Sequence, residues 1–252
     1  MEDRGSGSPI ALAICTALVV GALVGGAIGC GGGGDDPTTT ETSTSAAPAT
    51  TPAPAKVSDC KRVEPPKVKP VSYRAPARVV KKGEALTAVV KTSCGTFEIA
   101  LKAKWSQAAV NSFVFLSEKG FYDGLGFERA AYDTYVEGGK PPDAAGPGYG
   151  VTGEIPEGFI YRHGVVAMSQ PGEGPPGHAG SRFFIVVAAP WLDFSGLYAP
   201  VGRVNRGFGV LEDISELGPP DPYAGTGNIG SVGQIGKLRR PVVIEGITIE
   251  RG

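Results

Sequence analysis

Residues 120 to 140 read GFYDGLGFERAAYDTYVEGGK, with a single arginine, Arg129, and a Gly138-Gly139 pair preceded by Glu137. A metal site needs clustered His, Cys or carboxylate ligands, and a hydrolase needs a nucleophile beside a base. Neither is present here. The whole chain has 2 histidines, His163 and His178, which read as loop residues rather than acid–base groups, so no metal ligand set is expected. What remains is a guanidinium, a permanently charged donor of hydrogen bonds to lone pairs and anions. Taken alone, such an arginine is most simply half of a surface ion pair. Its meaning depends on what the fold brings beside it.

The elements that would position it are mostly strands. From about residue 85, ALTAVVKT (85–92) and TFEIAL (96–101) alternate apolar and polar residues around the turn SCG, the pattern of two half-buried strands in a hairpin. SQAAVNSFVFLSEKG follows, with Ser106 as candidate N-cap and Gly120 as candidate stop. This run is apolar on more than one side, as suits a helix largely covered by a sheet, and it is the one long helix the pattern supports. Beyond it, short apolar segments recur between Gly and Pro turns, and RRPVVIEGITIE alternates again at the end. Many short strands with one solid helix argue against a doubly wound sheet and for a barrel or sandwich, with the last segment pairing back into the sheet.

The first 84 residues have a different character. Residues 10–29, IALAICTALVVGALVGGAIG, are uncharged and about the length that crosses a bilayer core. The run ends in AIGC, which resembles a bacterial lipobox with Cys30 as the lipidated residue, although Ala27 stands where Leu is usual. Residues 1–30 therefore read either as a cleaved lipoprotein leader or as an uncleaved anchor. Residues 31–56 are Gly, Thr, Ser, Ala and Pro with few apolar side chains, a composition expected to form a flexible tether. A Pro-rich approach segment, 57–84, leads into the folded part, 85–252. Cys60 and Cys94 are candidates for a disulfide joining the two, the alternative being two buried free thiols. The formal net charge of −1 gives no overall basic field for a phosphate backbone, which sets nucleic acid aside as a partner.

Several words then occur in order: VNSFVFLSEKGFYDGLGFERA, VEGG, AGPGYG, GVVAMS, GSRFFIVV, WLD and YAPVGRVNRGFGVLEDI. Their order and spacing resemble a cyclophilin-type peptidyl-prolyl isomerase over about residues 85–251. The YAPVG form is similar to bacterial secreted members. The resemblance implies a mainly β fold, a closed eight-stranded antiparallel β-barrel capped by two helices. It also implies cis/trans isomerisation of X-Pro bonds without a cofactor, with proline-containing polypeptides as partners.

That resemblance gives the arginine a role. Rotation about an X-Pro bond is opposed by a barrier of about 18–20 kcal/mol, because the nitrogen lone pair is shared with the carbonyl. A guanidinium can bond that lone pair as it localises, so the contact strengthens in the transition state. Arg129 matches the family's catalytic arginine. Phe184, Met168 and Leu192 match positions at or beside the apolar proline pocket, Ser169 and Gln170 those that hold extended substrate, and Tyr198 the ring at the pocket edge. Trp191 stands where cyclosporin-sensitive members often carry Trp, so cyclosporin-like ligands join the expected partners. Four positions depart from the family pattern. Thr134 and Tyr135 replace Phe and an apolar residue, while Glu137 and Arg182 each replace Gln. Glu137 is placed to pair with Arg129, either competing with substrate or orienting the guanidinium, and Arg182 is placed to neutralise Glu137. The segment QPGEGPPGHAG is longer than the family's usual loop and borders the expected groove. A binding or chaperone module that captures proline peptides with little turnover is the alternative reading.

Overall fold

The computed structural model of the chain describes residues 60–131, 134–142, 146–170, 172, 174–187, 191–192, 196–219 and 235–252. The apolar run 10–29, Cys30 and the tether 31–56 lie outside the described residues. Among those described, no helix is long and apolar enough to cross a membrane.

Twelve strands and two helices follow in order among the described residues. They are β1 (Leu86–Thr92), β2 (Gly95–Leu101), α1 (Gln107–Glu118), β3 (Gly126–Ala131), β4 (Tyr135–Gly138), β5 (Val151–Thr152) and β6 (Tyr161–Arg162). Then come β7 (Val165–Met168), β8 (His178–Ala179), β9 (Phe183–Val186), β10 (Trp191–Leu192), β11 (Pro200–Arg206), α2 (Phe208–Glu216) and β12 (Ile235–Arg251). Eight of these strands close a barrel in the order β1-β12-β3-β4-β9-β7-β11-β2, and every pairing is antiparallel. Closure leaves no free edge among them. The last segment returns to the sheet, as its alternation predicts, and its partner there is the first strand, with Leu86 opposite Arg251.

The β1–β2 hairpin turns through Ser93 and Cys94, with Thr92 opposite Gly95. Glycine is required there for two reasons: Gly95 has φ 131°, and a Cβ would come within 2.9 Å of Val210 on α2. At the start of α1 the Ser106 hydroxyl does not cap the helix. It donates to Glu154 Oε2 at 3.3 Å, and that same oxygen accepts the Ala108 N–H at 3.3 Å. A carboxylate from a distant loop thus supplies the negative charge that helix N-termini favour. The helix ends as expected, with Gly120 at φ 64° donating to Ser117 O at 3.0 Å.

The helix is apolar on two sides because two things cover it. One side packs into the barrel core, where Phe113 meets Phe183 and Tyr122 with ring centroids 5.7 and 5.4 Å apart. The other lies under the approach segment, whose Tyr73 ring sits 5.2 Å from Phe115. Asn111 Oδ1 accepts the N–H groups of Val79 and Val80 at 2.8 and 3.1 Å. Cys60 and Cys94 are joined by a disulfide, and Lys61 N donates to Ser93 O at 2.8 Å, fixing the start of this strap to the β1–β2 turn. The sheet covers one side of the helix, and the strap covers its second face. A second helix, α2, was too short at nine residues to stand out from the periodicity, although the resemblance implied it.

Candidate active site

A regular β3 would put Phe127 and Arg129 on the same face. Its pairing with β4 slips between these two residues, leaving an extra residue on β3, as in a β-bulge. Phe127 stays in the barrel, 5.9 Å from the Phe183 ring, while Arg129 turns out to the surface beside Glu128. β4 and β9 then alternate normally. Val136, Phe183 and Ile185 enter the core, and Tyr135, Phe184 and Val186 join a second apolar cluster on the outside.

Cross-strand register aligns a row on that outer face: Arg129 opposite Glu137, Glu137 opposite Phe184, and Phe184 opposite Ala167. A cleft of about 260 Å³ opens over this row. It is lined by Arg129, Tyr135, Glu137, Ser169, Gln170 and Arg182, with Phe184 and Tyr198 completing the apolar side and Gly172 at the rim. The structure therefore brings eight of the residues expected from the sequence to one place.

Four others fall differently. Met168 alternates inward on β7 and is buried in the barrel core rather than the cleft. Thr134 is buried at the turn into β4, its carbonyl accepting Val187 N–H at 2.8 Å, and does not line the cleft. Trp191 and Leu192 form β10 against β6, with Leu192 opposite Tyr161, but their side chains lie outside the described residues.

Charge in the cleft is arranged as an alternating chain. Arg129 donates from Nε to Glu137 Oε2 at 2.7 Å, and its Nη2 donates to the same oxygen. Arg182 Nη1 lies 3.6 Å from Glu137 Oε1, and Arg182 Nε lies 3.8 Å from Glu128 Oε1. Glu137 is only 3% exposed and Arg129 43%, so the carboxylate sits behind the guanidinium, which presents its outer edge to the cleft. Orienting and competing are therefore not exclusive: Glu137 occupies Nε and Nη2 and leaves Nη1 for another acceptor. Neither carboxylate oxygen of Glu128 accepts a hydrogen bond among the described residues. Burial first, and the Glu137 charge second, push its pKa up to about 8.

The aromatic side is held just as firmly. The Phe184 ring lies 5.1 Å from Tyr198, 5.9 Å from Tyr135 and 6.3 Å from Tyr161. Tyr161 donates to Tyr198 O at 2.6 Å and accepts Tyr198 N–H at 3.2 Å, pinning the backbone of the edge residue. Burial raises both Tyr161 and Tyr135 to about 12, with Glu137 adding to the rise at Tyr135, so both remain neutral donors. Sequence reasoning missed Glu128 and Tyr161. The first is hidden by the bulge, and the second carries no local signal beyond standing with Phe159 in a short segment between turns. The long loop does border the cleft, and Gln170 Nε2 donates back to Pro175 O within it at 3.0 Å.

Among the described residues lining such a site, no nucleophile is set beside a base. It offers an apolar aromatic wall, a fixed guanidinium across from it, and among the described residues no cluster of metal ligands. That combination can hold an apolar ring and donate a hydrogen bond beside it.

A family model described as cyclophilin type peptidyl-prolyl cis-trans isomerase/CLD matches residues 87–239. Peptidyl-prolyl cis-trans isomerase-like 1 of Neurospora crassa is 34% identical over 134 residues, 50% of this chain and 79% of that protein. A peptidyl-prolyl cis-trans isomerase of Helicobacter pylori is 31% identical over 135 residues, 51% of this chain and 80% of that protein. Among solved structures, a cyclophilin type isomerase of Cryptosporidium parvum superposes with a TM-score of 0.52 at 23% identity, covering 66% of this chain and 98% of that one. A second structure of that protein, in the presence of the dipeptide Ala-Pro, gives a TM-score of 0.51. At that identity the likeness supports the fold.

Proposed function

Since the chain belongs to the cyclophilin-type peptidyl-prolyl cis-trans isomerases, we propose that its outer-face cleft turns X-Pro bonds of exported polypeptides while the N-terminal region holds the domain at a membrane. One observation carries the catalytic part: Arg129 stands across from Phe184 on a single cross-strand row, with Glu137 between them. The proline ring rests against Phe184, Tyr135 and Tyr198. Ser169, whose own N–H donates to Arg182 O at 2.8 Å, and Gln170 border the path of the extended chain. Arg129 Nη1 donates to the prolyl nitrogen as its lone pair localises in the twisted amide, which lowers the barrier without a covalent step. Cyclosporin-like ligands would compete for the same cleft.

The extracytoplasmic part is supported by the apolar run 10–29 ending at Cys30 and by the tether behind it. The Cys60–Cys94 disulfide supports it too, because such bonds persist in oxidising compartments. These features fit the bacterial secreted or lipoprotein type.

A second reading, capture of proline peptides with weak turnover, is favoured by the ground state of the cleft. Glu137 already occupies two donors of Arg129, and Phe184 is only 4% exposed. One assay separates the two. Isomerisation of a short proline peptide is followed with the wild-type protein, Arg129→Ala and Glu137→Gln. Arg129→Ala is expected to lose at least ~100-fold in kcat/KM, the scale of removing one transition-state donor. Glu137→Gln keeps an acceptor but removes the competing charge, and is expected to gain about three- to tenfold, roughly 1 kcal/mol. Wild-type and Arg129→Ala rates that both equal the uncatalysed rate would overturn turnover at this cleft and leave capture.

A further inference from the structure

A second cleft, about 1420 Å³ and open, is larger than the one over Arg129 and separate from it. It lies between the strap and the N-terminal end of α1. Five basic residues line it, Arg78, Lys81 and Lys82 from the strap and Lys102 and Lys104 from the turn after β2. Its two acids already have partners. Glu84 Oε1 accepts from Arg251 Nη1 at 2.6 Å and its Oε2 accepts Lys81 N–H at 2.9 Å, while Glu154 is occupied at the helix start. None of the five cations has a carboxylate within 4.0 Å among the described residues. Three of them, Arg78, Lys81 and Lys82, belong to a strongly basic stretch, since residues 61 to 82 hold eight Lys or Arg against Glu64 in a chain of net charge −1. The floor between them is apolar, with Leu101, Val79 and Trp105.

Trp105 connects this cleft to the other one. Its ring lies 5.2 Å from Phe159, Phe159 lies 5.2 Å from Tyr161, and Tyr161 lies 6.3 Å from Phe184. Three ring contacts thus join the basic cleft to the proline cleft. A chain of about six to eight extended residues, at about 3.3 Å each, is long enough to span them.

From this arrangement we propose that the strap cleft is a second polypeptide-binding site, taking an acidic segment with apolar side chains from the same chain whose proline occupies the cleft at Arg129. The cations supply charge complementarity and faster encounter. The apolar floor buries the intervening side chains. Occupying both clefts with one chain makes the second binding event intramolecular, which raises affinity without any new contact at the proline. The proposal deepens the isomerase reading and rests on it, and the test keeps the two apart.

The test uses full-length protein in neutral detergent and two substrates. One is a short proline peptide. The other is the same peptide joined, on either side, through about eight residues to a segment alternating Glu and Leu. The acidic extension is expected to improve kcat/KM by about tenfold, through KM. The variant Lys81→Glu/Lys82→Glu/Lys104→Glu changes three exposed side chains. It is expected to erase that gain, as is high salt, while turnover of the short peptide stays unchanged. Anisotropy of a labelled Glu-Leu peptide lacking proline reads the cleft directly, and should fall in the variant. Equal binding by wild type and variant, or no gain from the extension, overturns the proposal. So does a variant that loses only its association with vesicles containing anionic phospholipid, which would assign the surface to a membrane. If the short peptide is not turned at all, the isomerase reading fails, and the anisotropy comparison still decides the cleft.

Discussion

Glu128 lies beside Arg182 with both carboxylate oxygens shielded and without a hydrogen bond, and this sets a pH dependence. Its pKa is about 8 in the folded chain, raised chiefly by burial and then by Glu137, against 4.5 without those influences. Between these values the folded state holds a proton that the unfolded state has lost. Stability therefore falls as pH rises from about 4.5 through about 8, the reverse of a salt-bridged carboxylate. Glu128→Gln keeps the shape and removes the charge. It should flatten the decline and raise stability above pH 8 by on the order of 1–3 kcal/mol, with little effect at pH 5. Thermal unfolding of both proteins at pH 5, 7 and 8.5 checks this; parallel curves would remove Glu128 as the cause. The residue was not legible beforehand because strand alternation would put it on the opposite face from Arg129. Only the slip between β3 and β4 puts both outside. By contrast, Arg129, Glu137, Phe184 and Tyr198 were found by type and order, and their shared cleft follows from register.

Among the elements, the strap does the work that no strand pattern announced. It covers the second apolar face of α1 through Tyr73, Val79 and Val80, and the disulfide closes a loop with a sequence separation of 34. Closing a loop of that length in the unfolded chain is worth about 3–4 kcal/mol in the loop-entropy model. Cys60→Ser/Cys94→Ser should therefore lose about 2–4 kcal/mol in urea unfolding, while kcat/KM for a short proline peptide stays near wild type. Loss of turnover in a variant that remains folded would show that the strap shapes the proline cleft. Strands and α1 were legible from period and punctuation, because each has one face set by burial. The strap was legible only as Pro-rich sequence, since an irregular segment takes its conformation from what it covers.

For the whole molecule, the lipoprotein reading makes one clear demand on the N-terminus. Chain extracted from membranes of a cell that processes such leaders should begin at Cys30 and carry a diacylglyceryl mass; an intact residue 1 with the apolar run attached would instead establish an uncleaved anchor. The sequence by itself determined the family, the mainly β content, the return of the last segment to the sheet and the candidate arginine, because periodicity and ordered motifs are local properties of the chain. Tertiary structure alone decided that Met168 serves the core, that Glu137 bridges two arginines, that Glu128 is stranded beside them and that a basic cleft opens beside α1. Each of these depends on a bulge, a register or a loop docking. Those set distances between residues far apart in sequence, and distance decides whether a charge is paired, buried or free to bind.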